Sequence, residues 1–275
     1  MDNIKDIIKD MTPDTIGLNR ISPSMIMSYE TCPRSFFYGT FLGLQLPQPQ
    51  HHLLFGTAIH AAIGNIYDQK DKKTNWELAE FSCVKRTFED YWTKDMCETD
   101  ILYDEMYADG IEMLKSYWDS KEYLLSQYGI DILESESIMK LPLRNVQSSD
   151  VLPIPLSMRL DAISPNGVVE YKTSSSKYDE EETKQKAQTL AYAYGYKEKY
   201  GKLPEYVTYV VLRKKLKGRD KVQVLQYQIT DQDLVEFYHR VETILQKISN
   251  GEFSKPATGH APYCDCYKFE ELLTV

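Results

Sequence analysis

The stretch "IPLSMRLDAISPNGVVEYKT", Ile154 to Thr173, decides how the rest of the chain is read. Two apolar runs flank Ser164-Pro165-Asn166-Gly167, a turn signal, so the spacing predicts two strands folded back on one another. A strand sends residues i and i+2 to one face, so Glu170 and Lys172 emerge side by side from a run that is apolar up to Val169. Burying either charge unpaired is costly, so the pair needs a partner, a metal or a mouth to open into. A surface ion pair is the plain alternative. Asp161 ends the first of these two strands, and the hairpin brings its carboxylate beside Glu170 and Lys172. Two carboxylates repel and need a cation, and hard oxygen ligands suit Mg²⁺ or Mn²⁺. A neighbouring lysine can orient or activate water while the metal stabilises charge developing on a phosphate. Acid-x-Lys alone is a weak signal; Asp161, a turn and then Glu170-x-Lys172 is more specific.

Working outward, "IDILESESIMKLPL" (130–143) reads as a preceding strand, and "EEETKQKAQTLAYAYGYKEKYG" (180–201) as one helix with acids in its first turns and Gly201 past its end. "EYVTYVVLRK" and "KVQVLQYQI" are strands around a basic loop, and "TDQDLVEFYHRVETILQKISNG" is a capped helix. This order indicates an α/β fold with a mixed central sheet. The chain ahead of Gly129 is helical. Residues 1–20 read as a short helix and a linker, and "ISPSMIMSYETCPRSFFYGTFLGL" (21–44) as one aromatic helix behind a Ser-Pro-Ser cap. In "LLFGTAIHAAIGNIYDQ" (53–69), Leu53, Ala58, Ile59, Ala62, Ile63 and Ile66 recur at helical spacing, which puts His60 on or beside a buried helix. Residues 70–128 read as a helical insertion within a single domain spanning 1–275.

The 275 residues, 42% hydrophobic and 27% charged, describe a globular chain long enough for one large domain or two modest ones. No apolar run approaches the roughly 18–20 residues of a membrane span, and the N-terminus lacks a signal-peptide core, so no membrane partner and a cytoplasmic location are expected. Five cysteines in a chain of this size argue against a secreted disulfide framework. A net charge of −9 argues against an extended nucleic-acid coat but not against a local basic site. "RKKLKGRDK" (213–221) is such a cluster; it reads equally as a solvated hairpin tip or as a phosphate contact through Arg213, Lys214, Lys215 and Lys217. Gln188 and Tyr192 share a helix face; they could contact DNA or hold the lysine, or Tyr192 could simply pack on the sheet.

Taken in order, "ISPSMIMSYETCPRSFFYGTFLGL", "FGTAIHAAI", "RLDAI", "VVEYKT" and "QTLAYAYGY" resemble the RecB-like branch of the PD-(D/E)XK nuclease superfamily, which includes phage and bacterial exonucleases and CRISPR-associated adaptation nucleases. The resemblance implies a restriction-endonuclease-like fold and metal-dependent hydrolysis of DNA phosphodiesters leaving a 5′-phosphate. It also implies His60, Asp161, Glu170 and the Tyr171 carbonyl as Mg²⁺ or Mn²⁺ ligands, Lys172 as the catalytic lysine, and Gln188 with Tyr192 as the DNA-handling pair. An exonuclease on DNA ends or single strands is the expected activity; the alternative is a catalytically silent subunit that binds DNA or protein. The chain carries no phosphate-binding loop, so a helicase or recombination protein would be a separate partner. Many relatives also hold a [4Fe–4S] cluster on one early and three late cysteines. Cys32 stands at the early position, but Cys264-x-Cys266 has the wrong spacing and no cysteine follows, so an intact cluster is not expected and the three read as its vestige. His260 could complete a Cys₃His zinc site, although Cys264 and Cys266 are closer than usual zinc pairs.

Overall fold

The structure, a computed structural model, describes residues 17–46, 51–71, 80–214, 221–255 and 264–273. Among the described residues, six α-helices precede the sheet: α1 (Pro23–Thr31), α2 (Pro33–Phe36), α3 (His51–Asp71), α4 (Phe81–Tyr91), α5 (Asp100–Asp119) and α6 (Lys121–Tyr128). Strands β1 (Glu134–Leu141), β2 (Leu156–Ser164) and β3 (Gly167–Ser174) follow. Helices α7 (Glu180–Lys184) and α8 (Ala187–Tyr200) lead to β4 (Tyr206–Arg213) and β5 (Val222–Tyr227), and α9 (Asp231–Ser249) and α10 (Cys266–Leu272) come last. The five strands lie in chain order; β3 and β4 are parallel and the other neighbours antiparallel. The mixed, helix-flanked sheet matches the expected class.

The central strands are buried on both faces, as a strand covered by helices must be. Val168 and Tyr209 point into one core with Ile26, Phe36, Leu190 and Phe237. Val169, Tyr171 and Val210 point into the other with Phe55, Ile59, Phe88 and Tyr117. The turn joining β2 and β3 requires glycine at 167. Its φ is +147°, and a Cβ there would stand 2.0 Å from the Tyr206 carbonyl oxygen, where β4 passes.

Two irregularities create the site. Pairing of β2 with β3 ends at Ala162–Val169, although β3 continues beside β4 to Ser174 and β2 runs beside β1 back to Leu156. Backbone groups along an opened edge need partners. Ile21 supplies them: its N–H donates to the Pro155 carbonyl at 2.9 Å, and its carbonyl accepts from Ser157 N–H at 2.7 Å. The sheet thus splits into a wedge between β2 and β3. Second, β2 changes face at Asp161: Met158 and Leu160 pack in the first core, Ala162 in the second. Opposite Asp161, between the pairs Ser135–Ala162 and Ser137–Leu160, Glu136 adopts a left-handed φ of 52°.

Two long helices expected from sequence are each broken. The helix over 21–44 stops at Cys32, which is extended because Pro33 disfavours helical backbone in the residue before it; α2 and a π-turn over Phe37–Phe41 follow. The helix over 180–201 breaks at Gln185 and Lys186, and the buried Thr189 hydroxyl donates to the Thr183 carbonyl at 2.7 Å across the break.

Gly167→Ala should lower unfolding stability by about 2–3 kcal/mol, because the added carbon meets backbone that cannot rotate away. Urea unfolding of the two proteins checks this; equal midpoints would show that the turn relaxes freely.

Candidate active site

The wedge opens into a cleft of about 840 Å³ between α3, the β2–β3 split and the residues leading into α1. Asp161 stands where the ladder is interrupted. Its Oδ2 accepts the Tyr171 N–H at 2.9 Å, replacing a backbone partner, and its Oδ1 lies 3.3 Å from His60 Nδ1. Glu170 reaches the same space from β3, its side chain only 2% exposed. Its Oε1 accepts from the Gln188 amide at 2.7 Å and from the Lys172 ammonium. Its Oε2 is buried and has no hydrogen-bond partner among the described residues.

Burial drives the electrostatics. It pushes the Glu170 carboxyl up to about 8, with the charge of Asp161 adding to the effect and Lys172 opposing it. Burial acts on Asp161 in the same sense, but the His60 imidazole and the Tyr171 N–H outweigh it and hold Asp161 below the usual carboxylate range. Burial lowers His60 and Lys172, yet the two carboxylates bring both above their ordinary values. Without another cation, the two acids do not both ionise readily at neutral pH.

The donor set fits a hard divalent ion. Glu170 Oε2 is a buried oxygen awaiting a positive partner, Asp161 and Glu170 supply charge, and His60 supplies an imidazole. A strand residue presents its N–H and C=O to the same edge, so the Tyr171 carbonyl faces the β2 side, as its N–H does. Lys172, on the same strand face as Glu170, has a side chain 26% exposed toward the cleft.

Gln188 and Tyr192 do share a face, but their polar groups turn inward. Gln188 donates to Glu170, not to the lysine, and also to Tyr192 Oη at 2.7 Å; Tyr192 donates to the Arg159 carbonyl at 2.7 Å. This chain ties β3 to β2 across the wedge, and Tyr192 is buried. On the opposite face Tyr171 Oη lies 3.0 Å from Tyr117 Oη, which is bonded in turn to Tyr67. That tyrosine chain went unread because its members lie on three separate elements, with no periodicity linking them.

The other expected residues stand apart. Arg213 and Lys214 are half-buried at the end of β4, with the Lys214 ammonium 4.8 Å from the Phe55 ring centre. Lys215, Lys217 and His260 lie outside the described residues. Lys221, the last cation of the basic stretch, is fully buried and pairs with Glu112 at 3.2 Å. Cys32, Cys264 and Cys266 are buried together beside α10. Missing from the sequence reading were Arg20, Ser22 and Arg159 as cleft-lining residues; the Ser-Pro-Ser cap was visible, but not that it borders the site.

The family model of the PD-(D/E)XK nuclease superfamily matches residues 20–268, and the chain belongs to that superfamily. Its members generally use divalent metals. The crystal structure of a presumed exonuclease from Eubacterium rectale is similar over 94% of this chain and 92% of that one, at 14% identity and a TM-score of 0.55, a likeness of fold. A second structure, SSO0001, covers 97% of this chain and 94% of that one at 14% identity, but its TM-score of 0.33 carries no argument. No curated protein matches the chain. No helix among the described residues is long and apolar enough to cross a membrane.

The raised Glu170 pKa sets a sign. A carboxyl whose folded value, about 8, exceeds its ordinary 4.5 favours folding fully at acid pH, and that stability is lost as pH rises toward 8. A divalent ion bound at Glu170 would take the place of that proton. The rise in melting temperature produced by 5–10 mM Mg²⁺ or Mn²⁺ (about 2–5 °C at pH 8.5) should therefore shrink toward pH 6 and vanish in Glu170→Gln. Differential scanning fluorimetry reads both.

Proposed function

We propose that the protein is a divalent-metal-dependent deoxyribonuclease of the RecB-like branch, an exonuclease acting on DNA ends or single strands. The observation that carries this reading is the buried, unpartnered Oε2 of Glu170, set beside Asp161 at the foot of an open cleft that Lys172 also lines. Asp161, Glu170, the Tyr171 carbonyl and His60 would hold Mg²⁺ or Mn²⁺. That ion, when bound, polarises the scissile phosphate.

The chain's own groups do the rest. Lys172 hydrogen-bonds and orients the attacking water, its ammonium held in place by Glu170. Water adds to phosphorus and gives up a proton to solvent, the bond to the 3′ oxygen breaks and that oxygen leaves as a hydroxyl with a proton from solvent, and the product keeps a 5′-phosphate. Gln188 fixes Glu170 and Tyr192 fixes Gln188, so this pair acts on the ligand rather than on DNA. Arg213, Lys214, Lys215 and Lys217 are assigned to phosphate contacts beyond the cleft. Residues 1–275 form one nuclease domain in this reading, with 70–128 as a helical insertion: α4 and α5 pack on α3. Any unwinding motor is a separate helicase or recombination partner.

Labelled DNA with Mg²⁺ or Mn²⁺ tests the proposal. Wild type should degrade it, and Lys172→Ala should fall by at least about 10²–10³-fold. If wild type is as inert as the variant on single and double strands with both metals, the chain is a silent binding subunit. A second comparison separates positioning from DNA contact. Gln188→Ala should lower kcat about 10–100-fold with KM for DNA nearly unchanged. Arg213→Glu with Lys214→Glu should instead raise KM and flatten its salt dependence. A Gln188 variant that changes KM alone would return that residue to DNA contact.

A further inference from the structure

Cys32, Cys264 and Cys266 come from opposite ends of the chain, yet all three are buried, and their sulfur atoms lie within 4.8 Å of one another. None of the three takes part in a disulfide. Their spacing discriminates between the groups that three thiols could hold. A disulfide requires sulfurs about 2.05 Å apart and joins only two of them. A four-iron cluster uses four thiolates and interposes iron and sulfide between them. Here three cysteines converge among the described residues, closely packed, so that cluster does not fit. A single ion with metal–sulfur bonds of about 2.3 Å holds its thiolates roughly 3.8 Å apart, a separation reached here with little movement.

We propose that Cys32, Cys264 and Cys266 form a mononuclear site for one thiophilic ion of the zinc class, with three thiolates as ligands and a fourth position open to a further ligand. Binding is balanced as one divalent ion in and three thiol protons out. The site does not depend on the nuclease reading. It is separate from the wedge, and its ligands are soft sulfur rather than hard oxygen.

The position explains what the ion would accomplish. The seven-residue α10 buries only Cys266 and Phe269, too little for so short a helix to persist alone. It rests on α2 and the following turn through Phe269 against Tyr38, with ring centres 5.8 Å apart, and through the Tyr38 hydroxyl, which donates to Glu270 at 3.2 Å. Cys32 is the hinge between helices: its N–H caps α1 through Ser28, and its sulfur accepts the Ser35 N–H at the start of α2. An ion joining Cys32 to Cys264 and Cys266 therefore cross-links α10 to the end of α1. The other end of α1, at Ser22 to Ser24, borders the cleft.

The test uses the full chain, expressed with zinc and iron both supplied and purified without oxygen. Elemental analysis should find one zinc per chain in wild type and in Asp161→Asn, and less than a tenth of that in Cys266→Ser. Stripping the ion with a zinc-selective chelator should lower the wild-type melting temperature by about 5–10 °C and leave Cys266→Ser unmoved. Cadmium added to stripped wild type should restore the melting temperature and bring up a sulfur-to-cadmium charge-transfer band. If Cys266→Ser does not fold, the chelator and cadmium arms on wild type decide alone. Four results would each overturn the proposal: metal-free wild type in which Cys32, Cys264 and Cys266 all titrate as thiols, a visible iron–sulfur chromophore with several irons per chain, a disulfide among the three cysteines, or zinc that leaves with Asp161→Asn and stays with Cys266→Ser.

Discussion

Glu170 is a carboxylate inside the protein with donors, among the described residues, for only one of its two oxygens. A lone buried carboxylate is unfavourable by several kcal/mol and ordinarily answers by taking up a proton. Here Lys172 and Gln188 satisfy Oε1 while Oε2 is left bare, and Asp161 adds a second negative charge from the neighbouring strand. The surroundings give a proton or a cation somewhere to bind and little else. Much of the local architecture follows from keeping that arrangement open: the split sheet, the imidazole beside Asp161 and the helix laid across Glu170.

The split is what lets two acids approach from different directions. In an unbroken antiparallel pair, the residue opposite Tyr171 would satisfy the backbone of β3 with its own backbone. Instead the strands part beyond the Ala162–Val169 pair, toward Asp161, and the Asp161 side chain takes the Tyr171 N–H. The left-handed backbone at Glu136 accompanies the change of face at Asp161, so that β2 can pack Leu160 on one side and Ala162 on the other. Such a conformation is unfavourable by roughly 1–2 kcal/mol in a non-glycine residue. Gly167 anchors the far end of the wedge, where the hairpin must let β4 pass within contact of its backbone.

The hairpin, the acid-x-Lys strand and the helix carrying His60 were legible because each rests on short-range pattern: alternation, a turn tetrapeptide, apolar spacing of three and four. The mixed sheet followed from the order of these elements. What escaped was non-local. Nothing in "LDAIS" announces that pairing stops at Ala162, because the strand that leaves is β3 and the segment that replaces it is Ile21, far upstream. The break at Gln185 and Lys186 has no glycine or proline to mark it. It is fixed by tertiary contacts, with Thr189 bonded to the Thr183 carbonyl and lying 2.9 Å from Tyr209 Oη. Lys221 belonged to a basic run by composition, yet Glu112 on α5 draws it into the opposite core. Gln188 and Tyr192 were identified as a pair, but which groups they bond depends on how α8 lies over the wedge.

The polar groups that brace the site are nearly all neutral, which would suit the divalent ion proposed for it. Burial holds Tyr171, Tyr117 and Tyr192 well above the usual phenol range, so they remain uncharged donors. The Gln188 amide cannot ionise. An arginine in place of any of them would form stronger bonds to the acids, but its permanent charge would neutralise the field that the proposed divalent ion would need. Hydroxyls and an amide position Glu170 and β3 while leaving the negative charge intact. Lys172, the cation bonded to Glu170, lines the cleft. In the proposed reading, a positive group at the mouth above neutral groups would let a single pair of carboxylates hold an ion and still keep a lysine beside it.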